Sequence, residues 1–259
     1  MRVFSLTIRG RISSLFRKRL VLRNFVRLVR AVANWYEIPL YYLSIKRTLV
    51  LHFRRGICFL YVPDAFSVEH FLEEPYKMLV SRDKVVVDVG AYNGDSAIYF
   101  SQRGAKKVIA FEPFPFPYAI AKKNLELNQV SNIEIFNEAV GPRDGNVFID
   151  SEARGPAASL EKTGKTRIRM RSLSSLVEQF KLSKAALKMD CEGSEVCLLE
   201  AEPNVITAFD QIIVEYHDEG YEQLNRKLLS CGYSTFFLDN TGKIAEEPLP
   251  RNGLIYACF

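Results

Sequence analysis

Strand-like and helix-like segments alternate from residue 84 to the end of the chain, and this alternation constrains the fold more than any other feature. The strand-like segments are KVVVDVG (84–90), KVIAFE (107–112), NIEIFN (132–137), ALKMD (186–190) and QIIVEYH (211–217). Helix-like segments fall between or after them, at 95–103, 118–128, 173–180, 195–201 and 221–230. Alternation of this kind predicts a mostly parallel sheet with helices on both faces.

Two further stretches complete this pattern. YSTFFLD (233–239) and LIYACF (254–259) are strand-like and have no helix-like segment between them, so they are expected to form an antiparallel hairpin at one edge of the sheet. The interval 141–171 is less regular, with strand-like pieces at each end and a Gly/Ala/Ser-rich piece between them. We therefore predict one α/β domain over residues 84–259.

The first 83 residues have a different character and are predicted to form an extension. Residues 1–45 form an amphipathic pattern with an apolar face that includes Leu22, Phe25 and Val29, opposite a row of arginines. TLVLHF and ICFLYV predict a hairpin, and a helix is expected from Ser67 through Met78. Three interpretations of the basic helix stay open: docking on its own domain, contact with an anionic membrane surface, or contact with nucleic acid.

Charge is distributed very unevenly along the chain. Residues 1–55 carry 13 Lys or Arg and one acid, Glu37, a formal charge of +12, whereas the remainder carries −7. No apolar run reaches the roughly 20 residues that a membrane span needs, and arginines interrupt any signal-peptide core. An Arg-rich start is also typical of mitochondrial transit peptides.

The five cysteines form no C-x-x-C pair, which indicates reduced thiols. We expect a cytoplasmic protein, with peripheral contact of residues 1–45 with an anionic membrane as one of the open alternatives.

The loop that follows the first strand of the domain, in KVVVDVGAYNGD (84–95), is the natural ligand site. Gly90 and Gly94 let the backbone approach a ligand closely, and Asp95 opens a helix whose free amides face the same side. The loop matches neither G-x-G-x-x-G nor a Walker sequence, which argues against pyrophosphate and nucleoside triphosphate. Asp88, just before the loop, would instead pair with a positive charge.

A second acid restricts the class of ligand that this site could bind. Glu112 ends the next strand, 22 residues after Gly90, where a carboxylate binds both hydroxyls of a ribose in dinucleotide folds and their relatives. A ligand with a ribose, a positive charge and no phosphate is S-adenosylmethionine (SAM).

The stretches that contain these residues resemble the FkbM family of SAM-dependent methyltransferases. The matching stretches are VVVDVGAYNGDSAIYF, VIAFEPFPFPYAIAKKNLELN, NEAVG, LKMDCEGSE and IIVEYH. The resemblance implies a class I methyltransferase (Rossmann-like) fold with a seven-stranded sheet in the order 3-2-1-4-5-7-6. It also implies roles for cofactor-binding residues: Glu112 on the ribose, a turn around Ala139 beside the adenine, and the amino-acid part held by Asp88, Gly90, Asn93, Gly94 and Asp95.

The acids at the ends of the later strands are the candidate catalytic residues. KMDCEGSE and VEYHD end neighbouring strands, so Asp190, Glu192, Glu215 and His217 are expected to cluster near the transferred methyl group. A hydroxyl acceptor must lose a proton as it attacks, and His217 is the candidate base. Asp190 could accept the proton or orient the histidine. A divalent metal held by these side chains is an alternative, although no metal is expected.

The predicted function is SAM-dependent O-methylation of a hydroxyl on a sugar, a glycan, a lipid-linked glycan or a natural product, because the family's members mostly methylate oxygen. One alternative is an RNA methyltransferase that uses the basic N-terminal helix. Nucleic acid is not the expected partner, because the strand that ends at Asp190 lacks the N/D-P-P-Y/F motif typical of base amino-methylation. The other alternative is a SAM-binding protein without turnover.

Overall fold

The computed structural model describes residues 50–52, 57–60, 69–150, 164–191, 193, 195–217, 220–250 and 252–259. The predicted basic helix over residues 1–45, its Arg19, Arg23, Arg27 and Arg30, and Ser67 lie outside these residues. The predicted hairpin of the extension is confirmed, because the strands Val50–His52 and Cys58–Leu60 pair in antiparallel register.

The elements of the described ranges follow the predicted alternation. In chain order the strands are β1 (Val50–His52), β2 (Cys58–Leu60), β3 (Val85–Val89), β4 (Lys107–Phe111), β5 (Ile133–Phe136), β6 (Ala139–Gly141), β7 (Gly145–Ile149), β8 (Thr166–Ser172), β9 (Ala185–Met189), β10 (Phe209–His217), β11 (Ser234–Leu238) and β12 (Asn252–Cys258). The helices are α1 (Glu69–Leu72), α2 (Asp95–Gln102), α3 (Pro115–Leu127), α4 (Leu173–Phe180), α5 (Glu195–Glu200), α6 (Pro203–Ile206) and α7 (Tyr221–Ser230).

Seven strands form the central sheet, in the order β11-β12-β10-β9-β3-β4-β5. Strands β5, β4, β3, β9 and β10 are parallel, while β12 runs antiparallel between β10 and β11. Counting only the strands of this sheet along the chain gives the order 3-2-1-4-5-7-6. The predicted class I methyltransferase sheet, with its antiparallel hairpin at one edge, is therefore confirmed.

The two faces of the sheet are covered by separate apolar clusters, since alternate side chains of a strand point to opposite faces. Val86 of β3 packs on one face with Ile98 of α2, and Val87 packs on the other face with Leu176 of α4. By the same alternation, Asp88 lies on the side of Val86. This face, between the sheet and α2, is where the polar residues of the site converge.

The irregular interval after β5 contains a small second sheet. Its strand order is β6-β8-β7, with β6 parallel and β7 antiparallel to β8. Both strand-like pieces predicted for this interval are therefore strands, and residues 151–163 between them lie outside the described ranges.

The prediction of a helix that extends to Met78 is wrong in its length. Helix α1 ends at Leu72, and Glu74 adopts a left-handed conformation with φ of 49° immediately before Pro75. Proline disfavours the α conformation in the residue before it, which explains the early end. The turn that follows carries Tyr76 and Leu79 into the core on the α2 side of the sheet.

Within the described residues, no helix is long and apolar enough to cross a membrane.

Candidate active site

The glycine loop leaves the end of β3 through a conformation that only glycine adopts easily. Gly90 has φ of 80°, and a Cβ placed on it would overlap the carbonyl oxygen of Asp190 at the end of β9. The N–H groups of Gly90 and Ala91 both donate to the carbonyl of Phe111, at 3.0 Å each, which ties the loop to the end of β4. The loop therefore lies across the carboxyl ends of three adjacent strands, where class I folds bind ligands.

A buried ion pair lies directly beneath this loop. Asp88 and Lys188 are both 0% exposed, and Nζ of Lys188 is 3.0 Å from Oδ1 of Asp88. The same Nζ donates to the carbonyls of Gly90 at 2.7 Å and Val89 at 3.1 Å, while Ser96 donates to Oδ2 of Asp88 at 2.7 Å. Burial alone would lower the pKa of Lys188, but the carboxylates of Asp88 and Asp190 outweigh it and raise the pKa above its ordinary value. A charged lysine thus fixes the loop from below.

Asn93 and Asp95 also support the loop from inside the protein. Oδ1 of Asn93 accepts from the N–H of Asp95 at 3.2 Å, and the carbonyl of Asn93 accepts from Asn124 at 2.8 Å. Asp95 is buried at the start of α2, with Oδ2 2.6 Å from Nδ1 of His70. Gly94, with φ of 83°, caps α2 against Ala121 of α3. The side chains of Asp88, Asn93 and Asp95 make hydrogen bonds within the protein. The predicted contacts of the loop residues, Gly90 and Gly94 included, with a cofactor stay predictions.

Glu112 lies beside the loop at the end of β4. It is 4% exposed, and its two carboxylate oxygens accept from the N–H groups of Tyr92 at 2.8 Å and Phe114 at 2.9 Å. Burial raises the pKa of Glu112 to about 7, although the two N–H donors counteract this effect. This carboxyl group therefore titrates near neutral pH.

The predicted adenine border adjoins Glu112. The side-chain amide of Asn137 donates to the carbonyls of Glu112 at 2.9 Å and Pro113 at 2.8 Å, which joins the end of β4 to the turn before β6. Ala139 opens β6 and is buried against Phe114 and Ile149. Its contact with an adenine ring stays a prediction.

Two of the four candidate catalytic residues meet at the ends of β9 and β10. Val214 pairs with Met189, so Glu215 follows beside Asp190 at the same end of the sheet, and Glu215 is among the groups that lower the pKa of Asp190. Burial would raise the pKa of Asp190, but Lys188 and the hydrogen bonds with Glu215 and Tyr76 hold it well below its ordinary value. Asp190 is therefore an ionised hydrogen-bond acceptor and a weak base.

Of the other two candidates, the structure describes only His217. His217 ends β10 and lies on the same face as Glu215, two residues further along the strand, where it is half-buried. Glu192 lies outside the described residues. Among the residues that the structure describes, His, Cys, Asp and Glu side chains form no group of three that could hold a metal ion.

Three residues of the site were missed by the sequence analysis: Lys188, Tyr76 and His70. Lys188 did carry a signal, because a lysine inside an otherwise apolar buried strand needs a charged partner. Tyr76 donates its hydroxyl to Oδ2 of Asp190, and His70 pairs with Asp95. Both come from the segment before the domain, and nothing local in the sequence indicates their partners.

Comparisons with known proteins found one family model and several solved structures that are similar to this chain. A family model described as the methyltransferase FkbM domain matches residues 88–235, more than half of the chain. A crystal structure of an FkbM methyltransferase from Methylobacillus flagellatus KT is 16% identical, with a TM-score of 0.48 over 68% of this chain and 43% of that one. TYW2 of M. jannaschii, in complex with AdoMet, is 16% identical, with a TM-score of 0.47 over 81% of this chain and 84% of that one.

A sequence relative, an uncharacterized protein of Methanocaldococcus jannaschii, is 44% identical over 57 residues. That match spans 22% of either chain. The matched region of the family model, by contrast, contains the glycine loop, Glu112, Lys188, Asp190 and Glu215, and it begins after His70 and Tyr76.

Proposed function

Because the chain belongs to the FkbM family of methyltransferases, we propose that it is a SAM-dependent O-methyltransferase acting on a hydroxyl of a sugar or glycan. The observation that carries the proposal is the arrangement of two sites at one edge of the sheet. The glycine loop and Glu112 lie at the ends of β3 and β4, and the Asp190–Glu215 pair lies at the ends of β9 and β10.

The residues at the first site fit SAM. The space beside Gly90 is filled by the carbonyl of Asp190, which brings the glycine loop against the end of β9. Glu112 presents a carboxyl group at the end of β4, the position from which dinucleotide folds and their relatives bind a ribose, and the loop from Gly90 to Asp95 contains no lysine or arginine that could bind phosphate. Glu112 would hold the ribose, and the loop from Gly90 to Asp95 would surround the amino-acid part. SAM supplies an electrophilic methyl group on a positively charged sulfur.

The residues at the second site suit a hydroxyl acceptor. A hydroxyl group donates one hydrogen bond, and the ionised carboxylate of Asp190 is a fixed acceptor for it. The low pKa of Asp190 makes it a poor destination for the proton, since an effective general base has a pKa near the working pH. We therefore assign the orientation of the acceptor oxygen to Asp190, and the removal of the proton to His217 at the end of β10.

The direct test is transfer of label from tritiated SAM to fractions of glycan, lipid-linked glycan, small metabolites and RNA. The proposal expects label in a fraction that carries sugar hydroxyls, and label confined to RNA would contradict it. His217→Ala should lower kcat on the labelled fraction by about 10²–10⁴-fold, the effect of losing a general base. Asp190→Asn should lower it at least about tenfold, the effect of losing a hydrogen bond to a charged group. Because both residues act on the acceptor, the Kd for SAM should stay within about threefold of the wild-type value, a change of less than 1 kcal/mol.

Treatment with EDTA separates a base from a metal. Activity that survives the chelator supports proton removal by a side chain. Activity that is lost and then restored by a divalent cation would overturn the assignment of His217 as the base.

A further inference from the structure

We propose that the active site extends beyond the matched family domain, through His70 and Tyr76 of the segment that precedes it. In this proposal both are positioning residues, His70 acting through Asp95 on the cofactor loop and Tyr76 acting through Asp190 on the acceptor. The assignment to cofactor and acceptor rests on the proposed function, while the contacts themselves do not.

His70 holds the start of α2. It is 6% exposed, and its Nδ1 lies 2.6 Å from Oδ2 of Asp95, which is buried. The tautomer of His70 that carries its proton on Nδ1 donates this hydrogen bond to the carboxylate. The N–H of Asp95 in turn donates to Asn93 within the glycine loop. Loss of the imidazole would leave a buried carboxylate without this donor at the point where the loop becomes the helix.

Tyr76 holds the carboxylate of Asp190. Its side chain is 2% exposed, and its hydroxyl donates to Oδ2 of Asp190, which lies 114 residues away in the sequence. The ring stacks on His70 at 4.9 Å and on Phe100 at 6.0 Å, and Nζ of Lys188 lies 5.5 Å from its centroid. These contacts immobilise the ring, so the hydroxyl has one position. Because this donor fixes Oδ2, the other carboxylate oxygen of Asp190 also has a fixed orientation and can accept a hydrogen bond from the acceptor.

The polar ends of the two rings distinguish this arrangement from ordinary core packing. A phenylalanine at position 76 and an apolar residue at position 70 would fill the same space without burying polar atoms, which cost free energy unless they are hydrogen-bonded. Each polar end instead meets a carboxylate, one beside the cofactor loop and one beside the acceptor. Although the two rings touch, they are therefore expected to affect different parts of the reaction.

The test separates these two effects with conservative variants of the full chain. Tyr76→Phe removes only the hydroxyl and should lower kcat on the tritium-accepting fraction at least about tenfold, the effect of losing one hydrogen bond to a charged group. Its Kd for SAM, measured by calorimetry, should stay within about threefold of wild type. Tyr99→Phe is the matched control, because Tyr99 is equally buried on α2 but its hydroxyl donates to Glu74, away from the site.

At position 70 the expected pattern is the reverse. His70→Phe keeps the stacking on Tyr76 but removes the donor to Asp95, and should weaken SAM affinity at least about tenfold. Its kcat at saturating SAM should fall less than that of Tyr76→Phe, since His70 contributes to the low pKa of Asp190 but does not hold its carboxylate. His70→Asn should recover most of the affinity, because the side-chain amide of asparagine can donate from nearly the position of Nδ1. The melting temperatures of all variants report whether any of them fails to fold.

Three results would overturn the proposal. The first is a Tyr76→Phe enzyme with unchanged kcat, and the second is a His70→Asn variant no better than His70→Phe. The third is a parallel loss of kcat, SAM affinity and melting temperature in both variants, which would mean that the two rings only pack. A wild-type chain that binds no SAM would overturn the proposed function as well. The titration of the wild type alone reveals that outcome, so it is not confused with the three results above.

Discussion

At the scale of single residues, Glu112 is a carboxyl group whose charge changes near neutral pH. It is buried at the end of β4, and burial raises its pKa from an ordinary value of 4.5 to about 7. The folded protein therefore keeps a proton between these two pH values that the unfolded chain releases. A buried acid of this kind is a common property of functional sites, where environment rather than residue type sets the charge.

We predict that Glu112 makes the free protein less stable as pH rises. Between pH 4.5 and 7 the native state binds more protons than the unfolded state, so the free energy of unfolding falls with increasing pH. The contribution is about 3 kcal/mol over the whole window. Urea denaturation of wild type and Glu112→Gln at several pH values between 4.5 and 8 measures it. The variant should lack this part of the decline, and parallel curves would contradict the prediction.

At the scale of elements, the glycine loop has a conformation that its sequence explains. Gly90 and Gly193 both adopt positive φ, at 80° and 77°, so a side chain is unfavourable at either position. They differ in space, because a Cβ at Gly90 would overlap the backbone of Asp190, whereas a Cβ at Gly193 would meet nothing within 4 Å. The two glycines therefore separate backbone strain from steric overlap.

We predict that Gly90→Ala is far more damaging than Gly193→Ala. The control variant should lose about 1–2 kcal/mol of stability, the cost of a left-handed conformation alone. Gly90→Ala must in addition displace the loop or the end of β9, and should lose several kcal/mol together with SAM binding. Chemical denaturation of both variants measures the loss of stability. Equal losses in the two variants would contradict the prediction, because they would mean that the loop accommodates a methyl group at Gly90.

Most of these elements could be predicted because their signals are local. The apolar runs of β3, β4 and β9 and the helices between them are visible in short windows, and connection rules then restrict the order of the strands. The error in α1 was avoidable, since Pro75 lies within the segment predicted as helical. The turn around Tyr76 that replaces the helix has no comparable sequence signature.

At the scale of the whole molecule, the site depends on contacts that no local pattern reveals. Periodicity shows which face of a strand is buried, but the partner of Asp190 lies 114 residues away and that of Asp95 lies 25 residues away. The pattern predicted that Asp190 and Glu215 would meet, because neighbouring parallel strands end at the same edge of a sheet. It did not predict that Tyr76 would donate to Asp190 or that Lys188 would keep Asp190 ionised, which argues against the direct proton acceptance by Asp190 that the sequence had left open.

The uneven charge is the other property of the whole chain, and we propose that the basic segment contacts an anionic membrane surface. Residues 1–55 carry a formal charge of +12 and the rest carries −7. Each Lys or Arg near such a surface adds about 1 kcal/mol, and salt screens the attraction. The full chain should co-sediment with phosphatidylglycerol vesicles at low salt and be released at high salt. A variant with Arg19, Arg23, Arg27 and Arg30 changed to Gln should bind more weakly, and a full chain that ignores vesicles would contradict the proposal.

The central claim is that SAM binds at the loop beside Glu112, and a calorimetric titration of SAM into the wild-type chain and Glu112→Ala tests it most directly. We expect one molecule of SAM per chain for the wild type, and an affinity about 30- to 1,000-fold weaker for the variant, because two hydrogen bonds to the ribose are lost. Absence of binding to the wild type, or equal affinity for both proteins, would contradict the account.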